Sequence, residues 1–325
     1  MTIAMRKGVL PRILDLSPLI LLAGLAIVFG LLDPRVVSGQ SLINIVSQAT
    51  PVAVLALGAM IVLLTGGIDL SAGIGVAFCA VLVASLIDAG TGLAGALAIG
   101  LCAMLLVGLA NGLVIALLRI PPFVTTLASM VALQGATLAV ASKGVLVVRE
   151  PVLKFVGVER SFGLPHVIFA TMIIAMLAMV LMRRSRFGLR TYALGSDPAA
   201  AELAGIPVAR HTILVYAASS LFAFLTAVIM ISRVPVVTPN IGGTSLLLDA
   251  IAAAVLGGTS IFGGRGTVWG AVVGALIVSL LTTALRIFGT DPSSLELYKG
   301  AIIMLALLAD AVMTHTKARL MEIAR

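Results

Sequence analysis

Charge is scarce in this sequence. Asp, Glu, Lys and Arg together make up 10% of its 325 residues, against roughly a quarter in an ordinary soluble domain. Hydrophobic residues make up 61%. With a mean hydropathy of +1.22, the chain carries more apolar surface than a soluble fold of this length can bury, so the bilayer is its solvent. Cysteine is scarce too: Cys79 and Cys102 both lie in apolar runs, which excludes a disulfide framework and reads as small core residues. No GxxxxGK[ST] loop, HExxH or Cys/His metal spacing occurs. Ser219 and Ser220 have no histidine beside them in sequence, and His166, His211 and His315 fall near span ends. The chain thus holds neither a nucleotide engine nor a catalytic constellation. Active transport would draw its energy from another chain or from an ion gradient. Buried ionisable groups are few, which argues against an ion-coupled carrier.

The net charge of +8 belongs to loops that orient spans, since no soluble region is large enough to be a nucleic-acid domain. Stretches near the 20 apolar residues a spanning helix needs occur at 17–33, 41–65, 73–88, 92–118, 123–141, 166–183, 212–232, 245–262, 267–288 and 298–314. About ten spans follow, the short 73–88 run being the candidate half-helix. Arg6, Lys7 and Arg12 precede the first run, and no small-residue cleavage site follows, so it reads as a retained span. With the N-terminus inside, the 21 Lys and Arg residues divide thirteen inside to eight outside. That excess sets both termini in the cytoplasm. The dense cluster 183-RRSRFGLR-190 assigns the loop of about 184–211 to the same side.

That loop holds a short helix with complete start and stop signals. Asp197 is a helix-capping acceptor and Pro198 suits the first helical position. Ala199, Ala200, Ala201, Glu202 and Leu203 are strong helix formers. Gly205 can take the left-handed terminating conformation, and Pro207 forbids continuation. A helix over about 198–204 is marginal by itself in water. It either rests on the protein's own loop ends or fills a groove in another protein.

Two glycine-rich segments interrupt apolar runs: 60-MIVLLTGGIDLSAG-73, with Gly66, Gly67, Asp69 and Ser71, and 256-LGGTSIFGGRGTVWG-270, with Gly257, Gly258 and Thr259. Their shared form hints at two related halves with the Gly-Gly pairs in register. Irregular backbone at membrane depth persists only against protein or a water-filled cavity, and broken helices line transport pathways. Asp69 either caps a helix at the cytoplasmic end of its span or serves function as an intramembrane carboxylate. Asp249 and Asp310 read as near-interface residues. Gly108-xxx-Gly112 and Gly270-xxx-Gly274 have the spacing of close helix contacts, and Asn111 reads as interhelical glue.

The runs 66-GGIDLSAG-73, 111-NGLVIALLRIPPFVTTLASM-130, 187-FGLRTYALGSDPAAAELAGIPV-208, 249-DAIAAAVLGGTSIFGGRGTVWGAVVGAL-276 and 299-KGAIIMLALLAD-310 resemble, in order, the monosaccharide-type permeases of bacterial ABC importers, the ribose transporter family. Branched-chain amino-acid permeases are more distant relatives. The resemblance implies an all-α, polytopic permease fold in a single transmembrane domain over 1–325, in the bacterial inner membrane. It implies a subunit that is not itself an enzyme and holds no cofactor, because ATP and Mg bind a partner cytoplasmic ATPase. A periplasmic substrate-binding protein would deliver the solute, and a second permease copy would complete a homodimer. It makes Asp197 to Gly205 the helix that couples to the ATPase. It attaches Gly66, Gly67, Asp69, Ser71, Asn111, Gly257, Gly258 and Thr259 to the translocation pathway and its helix breaks. Leu248 stands where relatives often have an acid, Thr283-Ala284 where Asn-Gly is common, and Gln134 where Arg is frequent. A solute other than ribose is therefore open: another pentose, a hexose, a polyol or a sugar-like signal.

Overall fold

A computed structural model describes residues 17–141, 144–291 and 294–305. The expected readings at Arg6, Lys7, Arg12, Asp310, His315, Lys317, Arg319 and Arg325 lie outside them. The described residues are 79% helical. In chain order they form α1 (Ser17–Leu32), a 3₁₀ turn (Pro34–Val37), α2 (Gly39–Leu64), α3 (Ser71–Asp88), α4 (Leu93–Leu118) and α5 (Pro122–Val140). After strand β1 (Leu146–Val147) come α6 (Pro151–Gly157), strands β2 (Arg160–Ser161) and β3 (Leu164–Pro165), and α7 (His166–Arg184). Then follow α8 (Arg186–Ser196), α9 (Pro198–Leu203), α10 (Val208–Arg233), strand β4 (Val236–Val237), α11 (Gly243–Leu256) and α12 (Val268–Ile287). A last helical run covers 294–305. Seven of these helices are long and apolar enough to cross a membrane. With α1 and α11 they match nine of the ten expected spans, while the tenth, 298–314, is described only as far as residue 305; the protein is an all-α, multi-pass membrane protein.

The molecule has two ends. At one, α8 and α9 join the end of α7 to the start of α10; at the other, β1 pairs antiparallel with β4, Leu146 opposite Val237. The interior is built on α2 and α12, which pack against each other, with α11 against both and α10 against α2, α3 and α4. α4 and α5 bury few side chains and stand at the periphery. Small residues set the spacing. A Cβ on Gly112 would lie 2.6 Å from the Ile213 Cα on α10, and a Cβ on Gly108 would lie 2.6 Å from the Tyr216 carbonyl. Gly270 and Gly274 abut the backbone of Gly257 and Ala253 on α11 in the same way. Both small-xxx-small pairs are thus close-approach faces, as expected. Cys79 is buried, but Cys102 is exposed on α4 rather than in the core.

The half-helix is not where the 73–88 run suggested. α3 has 18 residues, about 27 Å at 1.5 Å per residue. α11 has 14 and stops at Leu256, although the apolar run continues to 262. It starts in the protein interior, with Gly243, Leu246 and Leu247 buried. A Cβ on Gly73, near the start of α3, would lie 2.5 Å from the Leu247 Cβ, so α3 and α11 begin beside each other at depth. The chain reaches those starts from opposite ends, through 65–70 and through 238–242.

Candidate functional site

The predicted short helix forms with both caps. Asp197 Oδ1 accepts from the backbone N–H groups of Ala199 and Ala200, each at 3.0 Å. Pro198 opens α9, which ends at Leu203, one residue before the expected limit. Gly205 then adopts φ +79° while the Ile206 N–H reaches back to the Ala201 carbonyl at 3.1 Å. Ala201 is buried; Ala199, Ala200 and Glu202 are exposed, and Leu203 is 91% exposed. The helix therefore presents a small apolar knob away from the body.

Its support is α8, an amphipathic helix that the residue pattern had not separated from the loop. α8 buries Gly188, Thr191 and Leu194. Thr191 Oγ1 lies 3.0 Å from His211 Nε2, and Phe187 stacks obliquely on the same ring at 5.2 Å. Gly195 packs so closely that a Cβ placed on it would overlap the Leu64 carbonyl and lie 2.7 Å from the Gly264 nitrogen. The Tyr192 hydroxyl donates to the Gly266 carbonyl at 2.9 Å. Burial pushes the Tyr192 phenol above its ordinary range against the opposing charge of Arg183. One turn of α8 thus touches the end of α2 and the loop after α11 at once.

Those two places are the glycine-rich breaks, and they share one local geometry. Gly66 has φ +75° and Gly258 φ +86°. The Gly67 N–H bonds the Val62 carbonyl at 3.2 Å, and the Thr259 N–H bonds the Ala254 carbonyl at 3.0 Å. Each is a left-handed helix stop of the Schellman kind. Gly66 therefore corresponds to Gly258, so the repeat is offset by one residue from the pairing of Gly66-Gly67 with Gly257-Gly258. In both, the glycine is exposed and the next residue, Gly67 or Thr259, is buried. The breaks also meet, because the Gly264 N–H donates to the Leu64 carbonyl at 2.9 Å. They are helix ends on the α9 side rather than interruptions inside continuous spans. Beside the first lies a cavity of about 150 Å³ lined by Gly66, Gly67, Ile115, Leu194 and Tyr216, among others.

Beyond the first break the chain turns inward through a buried polar cluster. Asp69 Oδ1 accepts from Ser71 N–H at 3.0 Å and from Ser71 Oγ at 2.6 Å, and its Oδ2 accepts from Ser219 Oγ at 2.7 Å. Asn111 Nδ2 donates to Ser71 Oγ at 3.0 Å, and Asn111 Oδ1 accepts from Ser129 Oγ. Asp69 thus caps α3, as one reading of the sequence held, but it does so inside the protein. Asn111 lies seven residues before the end of α4 and Ser129 seven after the start of α5, each about 10 Å deep. The cluster joins α3, α4, α5 and α10, so Asn111 is interhelical glue and Asp69 accepts from Ser71 and Ser219. Nothing in the sequence marked Ser129 or Ser219 as members.

Asp249 faces Lys299 at 2.7 Å, and Glu296 approaches the same ammonium at 2.8 Å. The pair ties α11 to the last helical run, so Asp249 is an ion-pair member and not merely an interface residue. A second cavity, of about 210 Å³, lies between α3, α5 and the segment leading into α11. Among the described residues no group of three or more His, Cys, Asp and Glu could hold a metal ion.

A family model described as "Branched-chain amino acid transport system / permease component" matches residues 41–309, most of the chain. The chain belongs to this permease family. Among curated relatives, the ribose import permease protein of Bacillus subtilis is 36% identical over 298 residues, spanning 91% of this permease and 92% of the relative. That of Escherichia coli K12 is 32% identical over 302 residues, at 92% and 94% coverage. The galactofuranose transporter permease protein of E. coli K12 is 33% identical over 269 residues, at 83% and 79%. No solved structure matches the permease.

Proposed function

We propose that this permease is the transmembrane subunit of an ATP-driven importer for a sugar or sugar-like solute, working in the bacterial inner membrane with both termini in the cytoplasm. A cytoplasmic ATPase binds ATP and Mg and seats α9. A periplasmic binding protein delivers the solute at the β1–β4 end, and a second copy of the chain completes the pathway. The observation that carries the reading is the linkage of α9 through α8 to both helix breaks. A rigid exposed knob at one end is joined through Tyr192 and Gly195 to the end of α2 and to the loop after α11, so a push on α9 reaches the loop that follows the half-helix. Turning a 1:99 mixture of states into 99:1 takes about 5.5 kcal/mol of differential binding, which nucleotide and binding-protein contacts together can supply. The relatives' names support a sugar, whereas the family's own description supports a branched-chain amino acid as the second reading.

The test is cross-linking from Glu202→Cys in native membranes, followed by mild purification and mass spectrometry. A P-loop ATPase joined at that position, with a binding protein alongside, is the expected result. The permease recovered alone, where a known importer stays intact, would return the choice to an ion-coupled carrier.

A further inference from the structure

The 210 Å³ cavity between α3, α5 and the 238–245 segment is lined by Gln134, Thr137, Asn240, Thr244 and Ser245, with Ile74, Leu138 and Pro239 as its larger apolar side chains. That composition is out of keeping with its depth. Gln134 is twelve residues along α5 from Pro122 and Thr137 fifteen, about 18 and 22 Å from the α9 end. The hydrocarbon core of a bilayer is about 30 Å thick. Ile74 is in the first turn of α3, which starts inside the protein at the Asp69 cluster. Gln134, Asn240, Thr244 and Ser245 are nevertheless exposed. An amide or hydroxyl turned toward acyl chains loses its hydrogen bonds with nothing in return. Away from the cavity, the large exposed side chains of α5 are those of Phe123, Val124, Leu127 and Val131, which do suit lipid. The polar residues gather on one wall, where the chain enters from the β1–β4 end and becomes helix only at Gly243.

We infer that this cavity is the solute-contact site of the translocation pathway. It is a water-filled pocket in which the Gln134 and Asn240 amides and the Thr244 and Ser245 hydroxyls exchange hydrogen bonds with the hydroxyls of a neutral, polyhydroxylated solute. The inference rests on the transport reading above and deepens it. No ionised side chain lines the wall, so nothing here would match the carboxylate and ammonium of a free amino acid. Amides both donate and accept, and hydroxyls do the same, which is the repertoire a sugar ring requires. The adjoining Asp69 cluster is closed on itself by hydrogen bonds and fixes the α3 side of the pocket.

The test uses the full-length chain in membrane vesicles of both orientations, with exposed Cys102 replaced by Ala and buried Cys79 kept. Single cysteines are placed by Gln134→Cys, Asn240→Cys and Thr244→Cys, and at the apolar exposed positions by Leu106→Cys and Met176→Cys. A membrane-impermeant thiol reagent should modify the first three at least tenfold faster than the last two. D-ribose or D-galactose at tens of millimolar should slow at least two of the three by twofold or more, and L-leucine should not. If a variant fails to reach the membrane, Ser245→Cys takes its place. Equal, slow labelling at all five positions means that lipid or protein covers the wall, and overturns the inference. Fast labelling indifferent to both sugars overturns it as a solute site. Protection by leucine alone overturns the solute class. Labelling needs no ATPase, so these outcomes are distinct from failure of the importer reading, which would show as the absence of a partner at Glu202→Cys.

Discussion

Asp249 and Lys299 show how much a single contact carries where water is scarce. The Lys299 side chain is 6% exposed and that of Asp249 17%, whereas Glu296 is 60% exposed, so the inner pair matters and Glu296 is a weak outer partner. Breaking a buried pair by removing one member costs about 3–5 kcal/mol because the other charge is left uncompensated, whereas replacing both by apolar groups is often neutral. Lys299→Met should therefore lower the thermal unfolding midpoint in detergent sharply, and Lys299→Met with Asp249→Leu should recover most of the loss. If the double variant is as unstable as the single, the contact does not work as a pair. Asp249 stands out in the sequence as a near-interface acid. Its partnership with Lys299 does not, because fifty residues separate the two and only the folded contact between α11 and the last run joins them. Asp69 was half legible for a related reason: its capping of Ser71 is two residues away, but its bond to Ser219 spans 150.

Elements were legible to the degree that their signals are local. α9 was read to within one residue because an acceptor, a proline, helix formers and a terminating glycine all lie within nine positions. α11 was overextended to residue 262 because hydropathy averages over the stop at Gly257–Gly258 and continues through Ile261 and Phe262, of which Phe262 is 94% exposed. α3 was taken as the short one because glycine and serine at its start dilute the same average. The local signals of α9 also yield a test. Gly205 holds φ +79° with open space around it, so Gly205→Val meets no clash and suffers only from its backbone. A β-branched residue in that region costs on the order of 1–3 kcal/mol, which frays a six-residue helix without touching the membrane core. Gly205→Val should insert normally, keep the midpoint of the parent protein in detergent, and lose solute uptake by tenfold or more. Normal uptake would remove α9 from the coupling path.

At the scale of the whole molecule, the two breaks and α8 form one mechanical unit, and this was the least legible part. Each Gly-Gly pair was visible alone, and the repeat between them was sensed one residue out of step. That they touch, and that α8 bridges them, depends on contacts between residues 64, 195 and 264 that no periodicity encodes. The bridge can be tested apart from the stability it provides. Tyr192→Phe removes only the hydroxyl that donates to Gly266. A net hydrogen bond is worth about 0.5–1.5 kcal/mol, and half-buried Tyr192 leaves water able to reach the freed carbonyl, so the unfolding midpoint should move little. If α8 transmits motion from α9 to the loop after α11, Tyr192→Phe should let the partner ATPase turn over while solute uptake per ATP falls several-fold. Gly195→Val, which forces a side chain against the Leu64 carbonyl, should do the same more severely at some cost in stability. Uptake per ATP that is unchanged in Tyr192→Phe, together with a midpoint shifted by the full worth of the bond, would make this contact a structural tie and leave force transmission to the α8 backbone alone.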